Sequence, residues 1–269
     1  MTGVLSLGLK GSVDHALLRA LAPRLEVAGF HALWLNDAGD GDALAGLAAA
    51  AEVTSTLVLA TGVLPFDRRP ADEIAASADR LGLPIGRLVL GVGSGGGTRP
   101  LQLVTRGIAD LRGATDAAIV LGALGPRMRA LGAQMAEGLL LSWLTPAAAE
   151  AAVADAREAA DELGRNYPRA VLYARTAVDV AAQRGLDADV AAYGSYRSYA
   201  ANFARLGFGP GEATIGPRAV GGRVDEYLEV VDELVLRAIT PSDSLDDLLR
   251  FVEHVELASR LRSSPEPPR

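Results

Sequence analysis

"TLVLATGVLPFDRRPADEIAASADRLGLPIGRLVLGV", residues 56–92, holds the unit from which the rest of the chain is built. Its first run, "TLVLAT" (56–61), and its last, "RLVLGV" (87–92), are short and almost continuously apolar. That composition belongs to strands of a parallel sheet buried on both faces. Between them the spacing predicts a helix from about Ala71 to Leu81. The first run ends on Thr61-Gly62, and the second leads into "GVGSGGG" (91–97).

The same rhythm extends in both directions. Strands are expected at 3–9, 31–36, 117–123, 138–143, 170–178 and 234–239. Helices are expected after each: from a Ser12 cap to about Ala28, from Asp42 to Val53 and from Leu101 to Leu111. Further helices are expected from Pro126 to Met135, after a Thr145 cap, around Tyr193–Phe203, and after a Ser242 or Asp243 cap. Asp40 and Asp42 read as capping residues for the helix after the second strand. Eight strand–helix units in 269 residues describe a (β/α)8 TIM barrel, ahead of an open doubly wound sheet. No linker divides the chain, so residues 1–262 read as one barrel domain and "SSPEPPR" (263–269) as a disordered tail.

Composition narrows the function. With 49% apolar and 22% charged residues, the chain is that of a folded, soluble protein. A net charge of −7 without a basic cluster argues against nucleic acid as a partner. There is no cysteine, and His15, His31 and His254 lack metal-ligand spacing, so no metal site is expected. No apolar run is long enough to span a membrane and the start is not a signal peptide, which places the protein in the cytoplasm.

In a (β/α)8 barrel the chemistry sits at the C-terminal ends of the strands. Asn36 and Asp37 end the second; a carboxylate there can meet a ligand, act as acid or base, or simply close an Asx turn. The Gly-rich turn after the fourth, with Gly93 and Ser94, can hold an anion, let a flat ring lie close, or be a flexible loop. Its Gly91-x-Gly93-x-x-Gly96 spacing matches a dinucleotide fingerprint only formally, because no acidic residue follows at the right distance. Gly125, Pro126 and Arg127 open a helix, with phosphate binding and plain capping evenly balanced. Trp143 and Arg175 are candidates for a substrate pocket, with core packing the commoner fate of a tryptophan. Tyr193, Tyr196 and Tyr199 mark one face of a helix, read as packing or subunit contact.

Five segments in order resemble the bacterial luciferase-like flavin/deazaflavin superfamily. They are "AGFHALWLND", "LAAAAEVTSTLVLATGVLP", "ADRLGLPIGRLVLGVGSG", "ALGPRMRALGAQMAEGLLLSWLTP" and "VDELVLRAITPSDSLDDLLRFVE". The style is closest to the coenzyme F420-dependent branch, and the resemblance is loose only from Tyr173 to Gly222. It implies a barrel whose third strand ends in a non-prolyl cis peptide against the cofactor ring, here Gly62–Val63. It also implies ring-edge contact by Asp37, cofactor contact by Gly93 and Ser94, and a phosphate loop at Gly125, Pro126 and Arg127.

Two departures accompany it. Several F420-linked relatives carry a histidine after the aspartate and an acid after the Gly-rich turn, where this chain has Ala38 and Gly96. The segment between the fourth and fifth strands is also shortened to "SGGGTRPLQLVTRGIADLRGATD", which implies an open pocket or one completed by a partner. The expectation is an F420-dependent oxidoreductase passing a hydride between the deazaflavin and a small organic substrate. The alternatives are an FMN-dependent monooxygenase using O2 and a non-catalytic flavin-binding or structural paralogue. A homodimer is expected, as family members commonly dimerise.

Overall fold

The computed structural model describes residues 3–37, 39 and 41–263, with side chains to residue 257. Ala38, Asp40 and residues 264–269, on which three of the expectations fall, lie outside the described residues. The chain begins β1 (Val4–Lys10), α1 (His15–Val27), β2 (Ala32–Asn36), α2 (Ala43–Ala51), β3 (Val58–Thr61), β4 (Leu64–Pro65) and α3 (Ala71–Arg80). It continues β5 (Leu88–Gly93), α4 (Pro100–Arg112), β6 (Ala118–Gly122), α5 (Pro126–Met135), β7 (Gly138–Ser142) and α6 (Pro146–Glu162). It ends β8 (Arg169–Thr176), α7 (Gln183–Ser195), α8 (Arg197–Leu206), α9 (Val220–Leu228), β9 (Glu233–Ala238) and α10 (Leu245–Ser263).

All strand pairings are parallel, in the order β3-β2-β1-β9-β8-β7-β6-β5, and β5 returns to β3 to close the barrel. It is an eight-stranded (β/α)8 barrel, with β4 the short continuation of the third barrel strand beyond Gly62–Val63. Among the described residues no helix is long and apolar enough to cross a membrane.

Period-two alternation splits each strand between two cores. Leu7, Leu33, Leu59, Leu90, Leu121, Leu141, Leu172 and Leu234 point outward and pack beneath the helices. Ala32, Trp34, Ala60, Val120, Leu140, Val171, Tyr173 and Val235 fill the barrel itself.

The ends of some helices differ from the sequence expectation. Asp14, not Ser12, caps α1, its Oδ1 accepting from the N–H groups of Ala16 (2.8 Å) and Leu17 (3.2 Å). Asp42 caps α2 as expected, but that helix ends at Ala51. Ser244 Oγ accepts from Asp247 N at 3.2 Å to open α10, while Ser242 donates back to the Asp247 carboxylate. Each cap is the residue whose side chain lies within reach of the free first-turn N–H groups.

The chain enters β3 over Glu26, whose Oε1 accepts from the backbone N–H groups of Ser55, Thr56 and Leu57 and from the Thr56 hydroxyl. Those bonds, Thr56's first, lower its carboxyl from 4.5 to about 2. A depressed carboxyl stabilises the fold above the unfolded value and loses that contribution as pH falls towards the folded one. The stability gap between wild type and Glu26→Gln should therefore be full at neutral pH, shrink below pH 4.5 and close near about 2. Urea midpoints over that range measure it, and a gap that ignores pH would contradict the assignment.

Candidate functional site

The inward residues of the C-terminal strand ends form a mouth with two unlike halves. On one side lie Gly62, Gly93 and Gly122, at the ends of the third, fourth and fifth barrel strands. On the other lie Arg175 and Arg237, paired in register across β8 and β9. A cavity of about 420 Å³ opens over the glycine half and reaches Arg175.

Two of the glycines share one physical cause. The peptide Gly62–Val63 is cis, and the Val63 side chain lies across the next two strands. A Cβ on Gly93 would sit 2.9 Å from Val63 Cγ2, and one on Gly122 would sit 3.0 Å from Val63 Cγ1. Gly91, one layer below, leaves no room either: a Cβ there would stand 1.8 Å from the Thr61 carbonyl oxygen. The Gly91-x-Gly93 spacing thus arises from close strand approach and not from a dinucleotide turn. What results is a low shelf of backbone and one valine, flanked by Leu140 and Tyr173.

The shelf is braced from below and behind. Asn36 Nδ2 donates to the Gly62 carbonyl at 2.8 Å, and Tyr173 donates its phenolic hydrogen to Asn36 Oδ1 at 2.9 Å. Both amide ends of Asn36 are therefore engaged, which fixes its orientation. Burial raises the Tyr173 hydroxyl far above the usual phenol range, so it is a neutral donor at any physiological pH. Asp67 Oδ2 accepts from Gly96 N at 2.8 Å and holds the Gly-rich turn beside the shelf.

Asp37 faces elsewhere. Its carboxylate accepts from Ala43 N at 3.2 Å, at the start of α2, and lies 3.6 Å from Arg69 and 3.9 Å from Arg68. Arg69 also bridges to Asp42 at 3.1 Å. That knot packs the loop after β4 onto α2, and Asp37 is absent from the cavity wall. Of the two neighbours it is Asn36 that lines the cavity.

Of the other expected residues, Asn36, Gly62, Val63, Gly93, Ser94, Gly125 and Arg175 line the cavity. Pro126 and Arg127 are exposed on the first turn of α5, where Gly125 and Met128 meet the cavity. Arg129 is the buried arginine of that helix, paired with Asp155 at 3.0 Å. Trp143 lies behind the wall, 1% exposed, in a left-handed turn (φ 57°) at the end of β7. It packs against Tyr193 (centroids 4.7 Å) and Phe203 (6.1 Å).

The tyrosines do not share one helix. The chain breaks at Tyr196 between α7 and α8, folding back so that Tyr193 and Tyr199 meet edge to face at 4.9 Å. Both line the cavity, together with Ser198. The short connection Ser94–Arg99 joins β5 to α4 at the edge of the shelf.

Residues missed from the sequence include Gly122, Leu140 and Tyr173, all on the cavity wall. Period-two alternation carried the signal, since Ser142 and Arg175 share a face with Leu140 and Tyr173. Nothing local marks Tyr199 or Asp67, which reach the site through the fold-back of α7–α8 and the loop after β4.

Residues 5–103 match the luciferase-like monooxygenase family. No curated protein sequence matches the chain. Among solved structures, the coenzyme F420-dependent tetrahydromethanopterin reductase of Methanopyrus kandleri is 18% identical, with 95% of this chain and 98% of that one aligned at a TM-score of 0.72. An F420-dependent secondary alcohol dehydrogenase, solved with an F420–acetone adduct, is 13% identical over 95% and 99%, TM-score 0.73. A monooxygenase of Streptomyces bottropensis is 16% identical over 97% and 100%, TM-score 0.74. The chain is thus similar to the luciferase-like family in sequence from β1 into α4, and it shares the barrel fold of these solved structures over nearly its whole length.

Proposed function

We propose that this chain is an F420-dependent oxidoreductase acting on a small organic substrate, with the deazaflavin ring resting on the Gly62–Val63 shelf. The observation that carries this reading is the shelf itself. Val63 lies across two strands whose inward positions are glycines, beneath a cavity large enough for a flat ligand. Relatives in fold supply the two cofactor classes, since two of those named are F420-dependent and one is a monooxygenase.

The short connection between β5 and α4 favours the deazaflavin. A bound deazaflavin supplies a two-electron hydride carrier indifferent to oxygen, whereas oxygen chemistry at a flavin depends on keeping water out. With Ser94–Arg99 the only connection over that edge, this chain provides little such cover. Its own residues bind and orient: Asn36 sets the Gly62 carbonyl, Asp67 holds the turn, and Tyr193 and Tyr199 limit the substrate side. Tyr173, Tyr193 and Tyr199 bring phenol groups to the wall, and burial keeps Tyr173 and Tyr199 protonated.

An FMN-dependent monooxygenase is the second reading, favoured by the family matched at residues 5–103. Parallel fluorescence titrations with F420 and FMN separate the two. F420 should bind at least about tenfold more tightly, a difference of ~1.4 kcal/mol. Tighter FMN binding, or reoxidation of the reduced carrier only when O2 is present, would reverse the assignment.

A further inference from the structure

Resting on that reading, we infer that the substrate of this barrel carries a carboxylate, received by Arg175 at the far side of the cavity from the glycine shelf. Arg175 is 5% exposed, and it is the single charged side chain on the cavity wall among the described residues. Trp143 and Tyr193 each lie 4.4 Å from its central carbon, and their own centroids are 4.7 Å apart, so both rings stand on one side of the guanidinium. The group keeps its planar fork of donors, which a flat two-oxygen acceptor matches.

The donors of this arginine are also under-used. It donates one hydrogen bond, from Nη1 to Ser142 Oγ at 2.7 Å, while Nε is buried without an acceptor. Its carboxylate neighbour, Asp189, stands 3.9 Å from Nε, beyond hydrogen-bond length, with its side chain 35% exposed. Arg87, at the opposite end of the barrel, shows what a purely structural arginine looks like here. It donates to Thr54 Oγ1 and to the carbonyls of Leu57, Ala51 and Thr54.

Charge points the same way. Arg237, the register partner of Arg175 on β9, has no carboxylate within ion-pair distance among the described residues. Two arginines paired in register, with Asp189 near Arg175 alone, leave an excess of positive charge at this end of β8 and β9. Like charges placed side by side are unfavourable unless an anion joins them.

An anionic group could also come from the acidic tail of the cofactor, and the test separates the two sources. Cofactor-free protein is titrated with acetate, propionate and benzoate, and with the corresponding amides. The readout is tryptophan fluorescence, because Trp143 touches Arg175. At least one acid should bind about tenfold or more tightly than its amide, as expected for a charge-assisted bidentate pair. That preference should vanish in Arg175→Gln and fall in Arg175→Lys, which keeps the charge but loses the fork. F420 affinity, measured separately, should stay within about threefold of wild type in both variants, a difference of under ~1 kcal/mol.

Acids and amides binding alike to wild type would overturn the inference. So would F420 affinity falling about tenfold or more in Arg175→Gln, which would make the anion the cofactor's own. Acid preference with no F420 binding to wild type would sustain the Arg175 site while sinking the F420 reading.

Discussion

Gly122→Val is expected to weaken F420 or FMN binding by about 100-fold or more, ~2.7 kcal/mol, while the barrel still folds. The Cβ alone would press on Val63 Cγ1 at 3.0 Å and approach the Val92 carbonyl at 3.4 Å. Two further methyls would rise into the cavity above the shelf, where a flat ring has to lie. Overpacking of this kind costs about 1–3 kcal/mol in a closed core, and less beside a cavity that can take the displaced atoms. Binding loss should therefore exceed stability loss. Gly122→Ala, which only nudges Val63, should fall between wild type and valine. Fluorescence titration together with thermal unfolding distinguishes the two effects, and unchanged affinity in Gly122→Val would remove the shelf as the ring site.

Glu233→Ala is expected to be the most destabilising single change, by about 3–5 kcal/mol, because it breaks a buried polar knot. Glu233 is 2% exposed, at the start of the last strand. Its Oε1 accepts from Ser6 Oγ at 2.6 Å and from Trp34 Nε1 at 2.7 Å, and its Oε2 accepts from Arg169 Nε at 3.2 Å. Ser6 Oγ in turn accepts from Ala32 N at 3.1 Å. The carboxylate thus ties together β1, β2, β8 and β9, where the first strand meets the last. Alanine would strand a buried indole N–H, a hydroxyl and a guanidinium at once.

At ~2–4 °C per kcal/mol for a chain of this size, the melting temperature should drop by roughly 10 °C. Glu233→Gln, which keeps an acceptor for Trp34 or Ser6, should lose less than half as much. A change within about 1 kcal/mol for Glu233→Ala would mean that the knot contributes little. Nearby His31, 3.9 Å from Glu233, adds no compensating charge at neutral pH. Burial holds its pKa below the ordinary value, with Glu233 opposing and Arg169 reinforcing.

Much of the barrel was legible because the signals that define it are local. Each strand is a short apolar run that must bury both faces, and each helix begins at a residue able to bond its own first-turn N–H groups. The first helix cap was expected at Ser12, two residues too early. The loop geometry placed the Asp14 carboxylate, and not the Ser12 hydroxyl, under the free N–H groups. Tyr193, Tyr196 and Tyr199 misled for a related reason. Their spacing is helical, but the chain turns at Tyr196 to stack its aromatic rings on one another and on Trp143.

The sequence by itself determined the eight-unit barrel, and the family resemblance pointed to Gly62–Val63 at the end of the third strand. Periodicity suffices for the units, because it depends only on residues a few positions apart. The tertiary structure alone decided what each strand-end residue faces. Asp37 and Asn36 are adjacent in the chain, yet strand alternation sends Asn36 into the cavity, and the arginines after β4 draw Asp37 out to α2. Gly93 and Gly122 are small because of Val63, a contact between different strands. Arg175 faces the cavity beside Trp143 and Tyr193 because elements separated in sequence converge on it, and no local pattern encodes that convergence.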